Sequence, residues 1–229
     1  MSAPAQPHNT DHDDRVGGYF HKASRTWDTF YDDRRTLLMR WVDKHFRSDV
    51  FTRWRLTFEA LGDARGKTLL DVGCGSGPYA VEAARRGSKR VLGIDMAPGM
   101  IELAKARAKD FGVEHICEFR VGSFPQDAPP EQFDFGIALG VMDYVADPPA
   151  FLQVMRQCVR GSVMTSVPTP HWFRTPLRRF RYRLKQCPVY FHTRQEVEEM
   201  FSAAGFGSVD IQKMPGAGMD FFVVARVPA

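Results

Sequence analysis

The part of this chain best suited to chemistry is a short apolar run that ends in an acid and then breaks into alternating glycines. The run is Leu69–Val72, and the glycines are Gly73, Gly75 and Gly77. It predicts a buried strand feeding a tight turn, because glycine allows the torsions and the bare backbone with which N–H groups approach a ligand closely. A helical pattern over 79–86 would point its positive N-terminal end into the turn. These features predict a nucleotide-binding turn.

A second acid follows at the spacing that such a turn needs. Arg90–Met96 is typical of another buried strand, and its acid Asp95 stands 24 positions after Asp71. That distance fits one strand–helix–strand unit. A carboxylate at the end of the second strand can accept hydrogen bonds from both hydroxyls of a ribose.

Glycine spacing separates two classes of cofactor. Dinucleotide sites use G-x-G-x-x-G, whereas this chain has Pro78 where the third glycine would fall. An acid followed by x-G-x-G-x-G instead resembles the first motif of the class I S-adenosylmethionine (SAM) dependent methyltransferases.

The resemblance implies SAM as the cofactor and assigns roles in its site. Asp95 would hold the ribose and Met96 would lie against the adenine. The first motif and the end of the fourth strand would line the rest of the pocket through Asp71, Gly73, Cys74, Gly75, Gly77 and Leu139.

Elements that could position these residues alternate along the chain. Strands are predicted at 68–72, 91–95, 118–121, 133–139, 162–167, 208–214 and 221–227, with further helices near 98–111, 148–159 and 193–205. The last connection, Pro215 to Asp220, is too short for a helical crossover, so the last two strands should pair antiparallel. We therefore predict an α/β fold, a Rossmann-like three-layer sandwich with a seven-stranded, mostly parallel sheet and an antiparallel last strand.

Composition fits one enzyme domain. The chain has 229 residues, 44% of them hydrophobic, and a formal net charge of +4. We expect a mobile tail over 1–17, a helical cap over 18–60 and a methyltransferase domain over 61–229. Four scattered cysteines indicate neither a disulfide framework nor a metal site, and no signal peptide or membrane span is predicted. A reducing, cytoplasmic location suits this pattern.

Aromatic residues recur at helical spacing through the N-terminal cap, among them Tyr19 and Tyr31. Core packing explains most stripes of this kind. Many small-molecule methyltransferases, however, begin with a similar helix that folds over the SAM pocket. Tyr19 is therefore a candidate cofactor-binding residue.

Two positions depart from the family pattern. After the third strand the chain has Ser123-Phe124, where relatives usually place an Asp that accepts from the adenine amine. We expect Ser123 to accept more weakly and Phe124 to help hold the adenine. Asp147-Pro148-Pro149 imitates a motif of base-methylating relatives, but it lacks the aromatic residue and is better explained as a helix start.

A base would be needed if the acceptor is a phenol, an alcohol or an amine. His171, His192 and Asp143 are the candidates near the carboxyl edge of the predicted sheet. A lone histidine is more often structural, and His192 stands next to a predicted helix N-cap at Thr193.

A basic segment over 171–187 alternates arginines with aromatic residues. A solvated helix face is the default explanation. The segment could also form a lid and meet an anionic substrate, an acidic carrier protein or a membrane surface.

Three functions therefore remain open. The first is O- or N-methylation of a small-molecule biosynthetic intermediate, with a diffuse similarity to magnesium-protoporphyrin and quinone-biosynthesis methyltransferases. The second is methylation of nucleic acid, for which the missing signature and the modest charge are unfavourable. The third is a non-catalytic SAM-binding or partner-binding module.

Overall fold

The computed structural model describes residues 48–170, 175–176, 180, 187–214 and 220–228. The helices of this part that bear on the site are α1 Ser48–Leu61, α2 Pro78–Arg85, α3 Pro98–Asp110, α4 Pro148–Cys158 and α5 Arg194–Ala203. The strands are β1 Thr68–Val72, β2 Arg90–Asp95, β3 Cys117–Val121, β4 Phe133–Ala138, β5 Val159–Val167, β6 Ser208–Lys213 and β7 Phe221–Arg226.

All seven strands form one sheet in the order β3-β2-β1-β4-β5-β7-β6. Strands β1 to β5 pair in parallel, and β7 runs antiparallel to both β5 and β6. The predicted sheet with a reversed last strand is confirmed. Strand β1 lies between β2 and β4, so the order along the sheet reverses there and a crevice opens beyond the carboxyl ends of these strands.

Neighbouring residues of β1 show that both faces of the sheet are covered. Leu69 and Leu70 point to opposite faces and are 2% and 0% exposed. Leu69 belongs to the core formed with α1, α2 and α3, whereas Leu70 belongs to the core formed with α4 and α5. The predicted three-layer sandwich is therefore confirmed.

Polar side chains fix the starts of α4 and α5. The Asp147 carboxylate accepts a hydrogen bond from the backbone N–H of Ala150 at 3.2 Å, and proline follows Asp147 in the first turn. Thr193 forms a reciprocal capping box with Glu196. Both predicted helix starts are confirmed.

Strand β5 begins at Val159, three residues earlier than the predicted 162. In sequence, Arg160-Gly161 resembles a turn. In the structure, however, the Arg160 guanidinium pairs with the Asp134 carboxylate of β4 at 3.0 Å. Gly161 lies so close to the backbone oxygen of Asp134 that a side chain would not fit there. The early start thus depends on contacts with the neighbouring strand, β4.

Candidate active site

The glycine turn lies at the carboxyl ends of β1 and β2. The backbone N–H groups of Gly73 and Cys74 donate to the carbonyl oxygen of Ile94, at 2.8 and 3.1 Å, which joins the turn to β2. All three glycines of the turn have φ between 53° and 74°. A left-handed backbone of this kind is reached easily by glycine alone, as the sequence predicts.

Gly73 is also required by packing. A Cβ atom at this position would collide with the side chain of Val141, which follows β4. The loop after β4 therefore rests directly on the glycine turn. This contact brings the ends of β1, β2 and β4 into one site.

Asp95 spans two loops of this site. Its Oδ2 accepts a hydrogen bond from the backbone N–H of Gly75 and its Oδ1 accepts one from Ala97, both at 2.9 Å. Burial raises the pKa of the Asp95 carboxyl, and the two backbone hydrogen bonds oppose that rise. Each carboxylate oxygen has a second lone pair, so Asp95 can still accept from the two hydroxyls of a ribose.

Asp71 is buried beneath the same turn. Asp71 is 2% exposed, and its Oδ2 has no hydrogen-bond partner in the described part of the chain. The nearby backbone N–H of Ala80, in the first turn of α2, favours the ionised form of the carboxyl. Burial, assisted by the charge of Asp95, raises the pKa of Asp71 to about 8. Burial also raises the pKa of Cys74, so its thiol stays neutral and unreactive.

Met96 follows Asp95 directly, at the position to which the resemblance assigns the adenine contact. It is half-buried and packs in a small apolar cluster with Tyr144, Cys187 and Val189. The sequence did not single out these three partners. Cys187 and Val189 bring the end of the basic segment and the chain after it close to the predicted adenine position.

Asp127 places a carboxylate beside Ser123, the position where relatives usually have an Asp. The backbone N–H of Ser123 donates to Oδ2 of Asp127 at 2.8 Å, and the N–H of Asp127 donates to the Ser123 carbonyl at the same distance. Phe124 is half-buried and packs edge-on against Phe151, with ring centroids 5.0 Å apart. Asp127 is thus a candidate that motif comparison missed, because it lies in the following turn.

Arg53 of α1 is a second residue that the sequence did not reveal. Its Nε donates to the Tyr79 hydroxyl at 3.3 Å, and its Nη1 donates to Oγ of Ser166 at 3.4 Å. Ser166 in turn accepts from the backbone N–H of Gly140, which follows Leu139 at the end of β4. The guanidinium therefore reaches the carboxyl edge of β4 and β5.

The candidate bases His192 and Asp143 lie at this edge too. The backbone N–H of His192 donates to the Pro168 carbonyl at 2.9 Å, and that of Tyr190 donates to the Asp143 carbonyl at 2.8 Å. Nε2 of His192 is buried and makes no hydrogen bond within the described residues. Burial lowers the pKa of His192, although the charges of Glu196 and Asp143 act in the opposite direction. The imidazole is therefore neutral at pH 7 and able to accept a proton.

Some predicted residues lie outside the part that the structure describes. They are Tyr19, Tyr31, His171 and most of the basic segment 171–187. Within that segment Thr175 and Cys187 are buried and Phe180 is exposed.

The same described part of the chain contains neither a membrane-spanning helix nor a cluster of metal ligands. No helix described there is long and apolar enough to cross a membrane. No group of three or more His, Cys, Asp or Glu residues described there could hold a metal ion.

The fold and its residues can be compared with those of known proteins. Residues 44–210 match the family model of a methyltransferase domain. A ubiquinone biosynthesis O-methyltransferase of Neisseria meningitidis serogroup C is 31% identical over 180 residues, which cover 73% of each chain. One from Azorhizobium caulinodans is 32% identical over 182 residues, 75% of this chain and 68% of that protein.

Solved structures agree with the fold. Magnesium protoporphyrin IX methyltransferase from Synechocystis PCC 6803, with bound S-adenosylhomocysteine (SAH), superposes with a TM-score of 0.73 at 18% identity and covers 95% of this chain and 100% of its own. Geranyl diphosphate C-methyltransferase from Streptomyces coelicolor A3(2) gives a TM-score of 0.70 at 14% identity, with 98% of each chain covered. From the family match over residues 44–210 and the 31% identity to a ubiquinone biosynthesis O-methyltransferase over 73% of this chain, the chain belongs to the class I SAM-dependent methyltransferases.

Proposed function

We propose that the chain transfers the methyl group of SAM to a small-molecule biosynthetic intermediate, with a hydroxyl oxygen as the favoured acceptor and an amine nitrogen as the other. The observation that carries this proposal is the neutral His192, whose buried Nε2 has no partner in the described part of the chain. A hydroxyl acceptor needs a base for its proton, and a neutral imidazole at the sheet edge supplies one.

The residues of the crevice fit SAM in their donors and acceptors. Asp95 would hold the ribose hydroxyls, and Met96 and Phe124 would contact the adenine. Asp127 would accept from the adenine amine in place of Ser123. Arg53 would pair with the carboxylate of the amino-acid end, because its guanidinium lies beside Gly140 and the glycine turn is close by.

SAM supplies a methyl group on a sulfonium, which is already a good leaving group. The protein therefore has to align the acceptor and exclude water. His192 would take the acceptor proton at Nε2, and the nearby charge of Asp143 would stabilise the imidazolium that forms. His171 is a second candidate on sequence grounds and lies outside the described residues.

The relatives favour an oxygen acceptor. The names of the Neisseria and Azorhizobium proteins give O-methylation in ubiquinone biosynthesis. We extend the chemical class to this chain, a hydroxyl on a biosynthetic intermediate, and leave the acceptor itself open. Nucleic acid is a poorer candidate, because the carboxylate of Asp147 caps α4.

The basic segment supports an anionic or carrier-bound acceptor. We propose that residues 171–187 form a lid over the acceptor, with its arginines meeting a carboxylate, a phosphate or an acidic carrier. Charge reversal at Arg178 and Arg181 should raise the acceptor's KM, leave SAM affinity unchanged and lose its effect in high salt. Wild-type kinetics combined with loss of binding to anionic liposomes would indicate a membrane-surface segment instead.

The function is tested with SAM that carries a radiolabelled methyl group. The protein is incubated with host extract, and label is followed into small-molecule, lipid, protein and RNA fractions. Label in a small-molecule or lipid fraction, lost in the His192→Ala variant, supports the proposal. Label in RNA, or in no fraction despite SAM binding, would favour the nucleic-acid enzyme or the non-catalytic module.

A further inference from the structure

We propose that the buried carboxyl of Asp71 makes the cofactor site prefer the positively charged sulfonium of SAM to the neutral thioether of SAH. This inference rests on the proposed function, because it concerns the same cofactor. Asp71 stands two residues before Gly73, where the glycine turn begins. It would act through its charge, as a residue that sets specificity without touching the ligand.

The geometry leaves Asp71 poorly stabilised as an anion. Among the described residues the buried Oδ2 has no hydrogen-bond partner, and the nearby backbone N–H of Ala80 is the donor that favours the ionised form. An ionised carboxylate that is almost completely removed from water normally needs a cation or several donors. In the absence of a cation we therefore expect the carboxyl to keep its proton.

The acidic groups around Asp71 also favour its protonated form. Asp95 at the end of β2 adds a negative charge, and the thiols of Cys74 and Cys117 are neutral because burial raises the pKa of each. Helix α2 contributes a backbone donor. Arg107 of α3 donates to the Ser76 hydroxyl at 3.5 Å.

Arrival of a positive ligand would change this balance. A sulfonium near the glycine turn favours the ionised form of Asp71, so the proton passes to the buffer. By linkage, SAM then binds more tightly as pH rises through the range in which Asp71 titrates. Methyl transfer removes the positive charge, so SAH gains nothing from the ionised carboxyl and leaves more easily.

Calorimetric titration tests this for SAM and SAH between pH 6 and pH 9, in buffers with different heats of ionisation. We expect SAM affinity to rise about tenfold over this range, which corresponds to a fall of about one unit in the pKa of Asp71 when SAM binds. SAH affinity should change less than about twofold. Proton release should accompany SAM binding. Both ligands carry the same α-amino group, so the comparison cancels its titration.

Asp71→Asn should remove the difference between the two ligands, because the amide keeps an acceptor for Ala80 but has no proton to release. Asp210→Asn, on the exposed edge strand β6, is the matched control and should retain it. Infrared spectra of the wild-type protein give a second measurement that needs no variant: the band of a protonated carboxylic acid should disappear when SAM binds.

Three results would overturn the inference. They are SAM binding that is independent of pH, an unchanged SAM-to-SAH difference in Asp71→Asn, and a carboxylic acid band that SAM does not alter. Failure of the wild-type protein to bind SAM at any pH would instead overturn the proposed function, and this inference with it.

Discussion

Asp95 accepts a hydrogen bond from the backbone N–H of Gly75, with 2.9 Å between Gly75 N and Asp95 Oδ2. One carboxylate thus joins the end of β2 to the middle of the glycine turn that follows β1. The residue assigned to the ribose also holds the turn that would surround the rest of the ligand. Ligand binding and loop structure are therefore linked at Asp95.

Asp95→Ala should weaken SAM binding by about 1.5 to 3 kcal/mol, as expected for losing hydrogen bonds to a charged group. The same change should lower the free energy of unfolding, because two backbone N–H groups lose their acceptor. Asp95→Asn keeps one acceptor oxygen, so its SAM affinity and its free energy of unfolding should lie between those of wild type and Asp95→Ala. Calorimetry and urea unfolding measure both effects. Unchanged SAM affinity would rule out the ribose role, and NADH binding more tightly than SAM would contradict the cofactor.

Gly73→Ala should destabilise the site by more than the strain of a left-handed backbone torsion, because its Cβ would also collide with Val141. Gly73 and Gly112 both have φ of 67°, but a Cβ at Gly112 meets nothing within 4 Å, whereas one at Gly73 collides with Val141. Gly112→Ala should cost about 1 to 2 kcal/mol of unfolding free energy and leave SAM affinity unchanged. Gly73→Ala should cost about 1 to 3 kcal/mol more and also weaken SAM binding. Equal effects in the two variants would show that the contact with Val141 is unimportant.

The fold could be predicted from local patterns because its strands are short apolar runs that end at polar or glycine residues. Asp71 and Asp95 could be assigned for the same reason, since each ends such a run. Arg53 could not, because its role depends on Tyr79 and Ser166, which are 26 and 113 residues away. The burial of His192 Nε2, without a hydrogen-bond partner among the described residues, likewise depends on packing that no spacing reveals.

Arg53→Met should weaken both SAM and SAH binding by about 1.5 to 3 kcal/mol, because both ligands carry the carboxylate that Arg53 would pair with. Adenosine has no carboxylate, so its affinity should stay the same. Arg55→Met is the matched control on the same helix, since Arg55 forms an exposed ion pair with Glu59 at 2.8 Å. Calorimetric titration of the three ligands gives the result. An equal loss of adenosine binding would mean that Arg53 supports the fold and does not bind the carboxylate.

Asp71 should also affect stability as a function of pH. The pKa of Asp71 is raised from 3.8 to about 8 in the folded protein, so between these values the folded state binds more protons than the unfolded state. Its contribution to stability is therefore complete below about pH 4 and is lost as pH rises through about 8. Relative to wild type, Asp71→Asn should gain on the order of 5 kcal/mol between pH 4 and pH 8, because the shift spans about four pKa units at about 1.4 kcal/mol each. Urea unfolding at several pH values measures the difference, and a constant difference would contradict the buried, protonated acid.

His192→Ala should lower kcat about a hundredfold and leave SAM affinity unchanged, because the imidazole would act only on the acceptor proton. The pKa of His192 lies below its ordinary value of 6.5, and a base must be unprotonated, so wild-type activity should fall only below that pH. The variant should lose this acid limb.

The exposed His115 provides the control, and His115→Ala should keep wild-type rates and the wild-type pH profile. Single-turnover transfer of labelled methyl to the acceptor fraction isolates the chemical step from product release. A loss of less than about threefold in His192→Ala across the pH range would mean that alignment of the acceptor is the whole mechanism. The acceptor proton would then leave through solvent or through another residue.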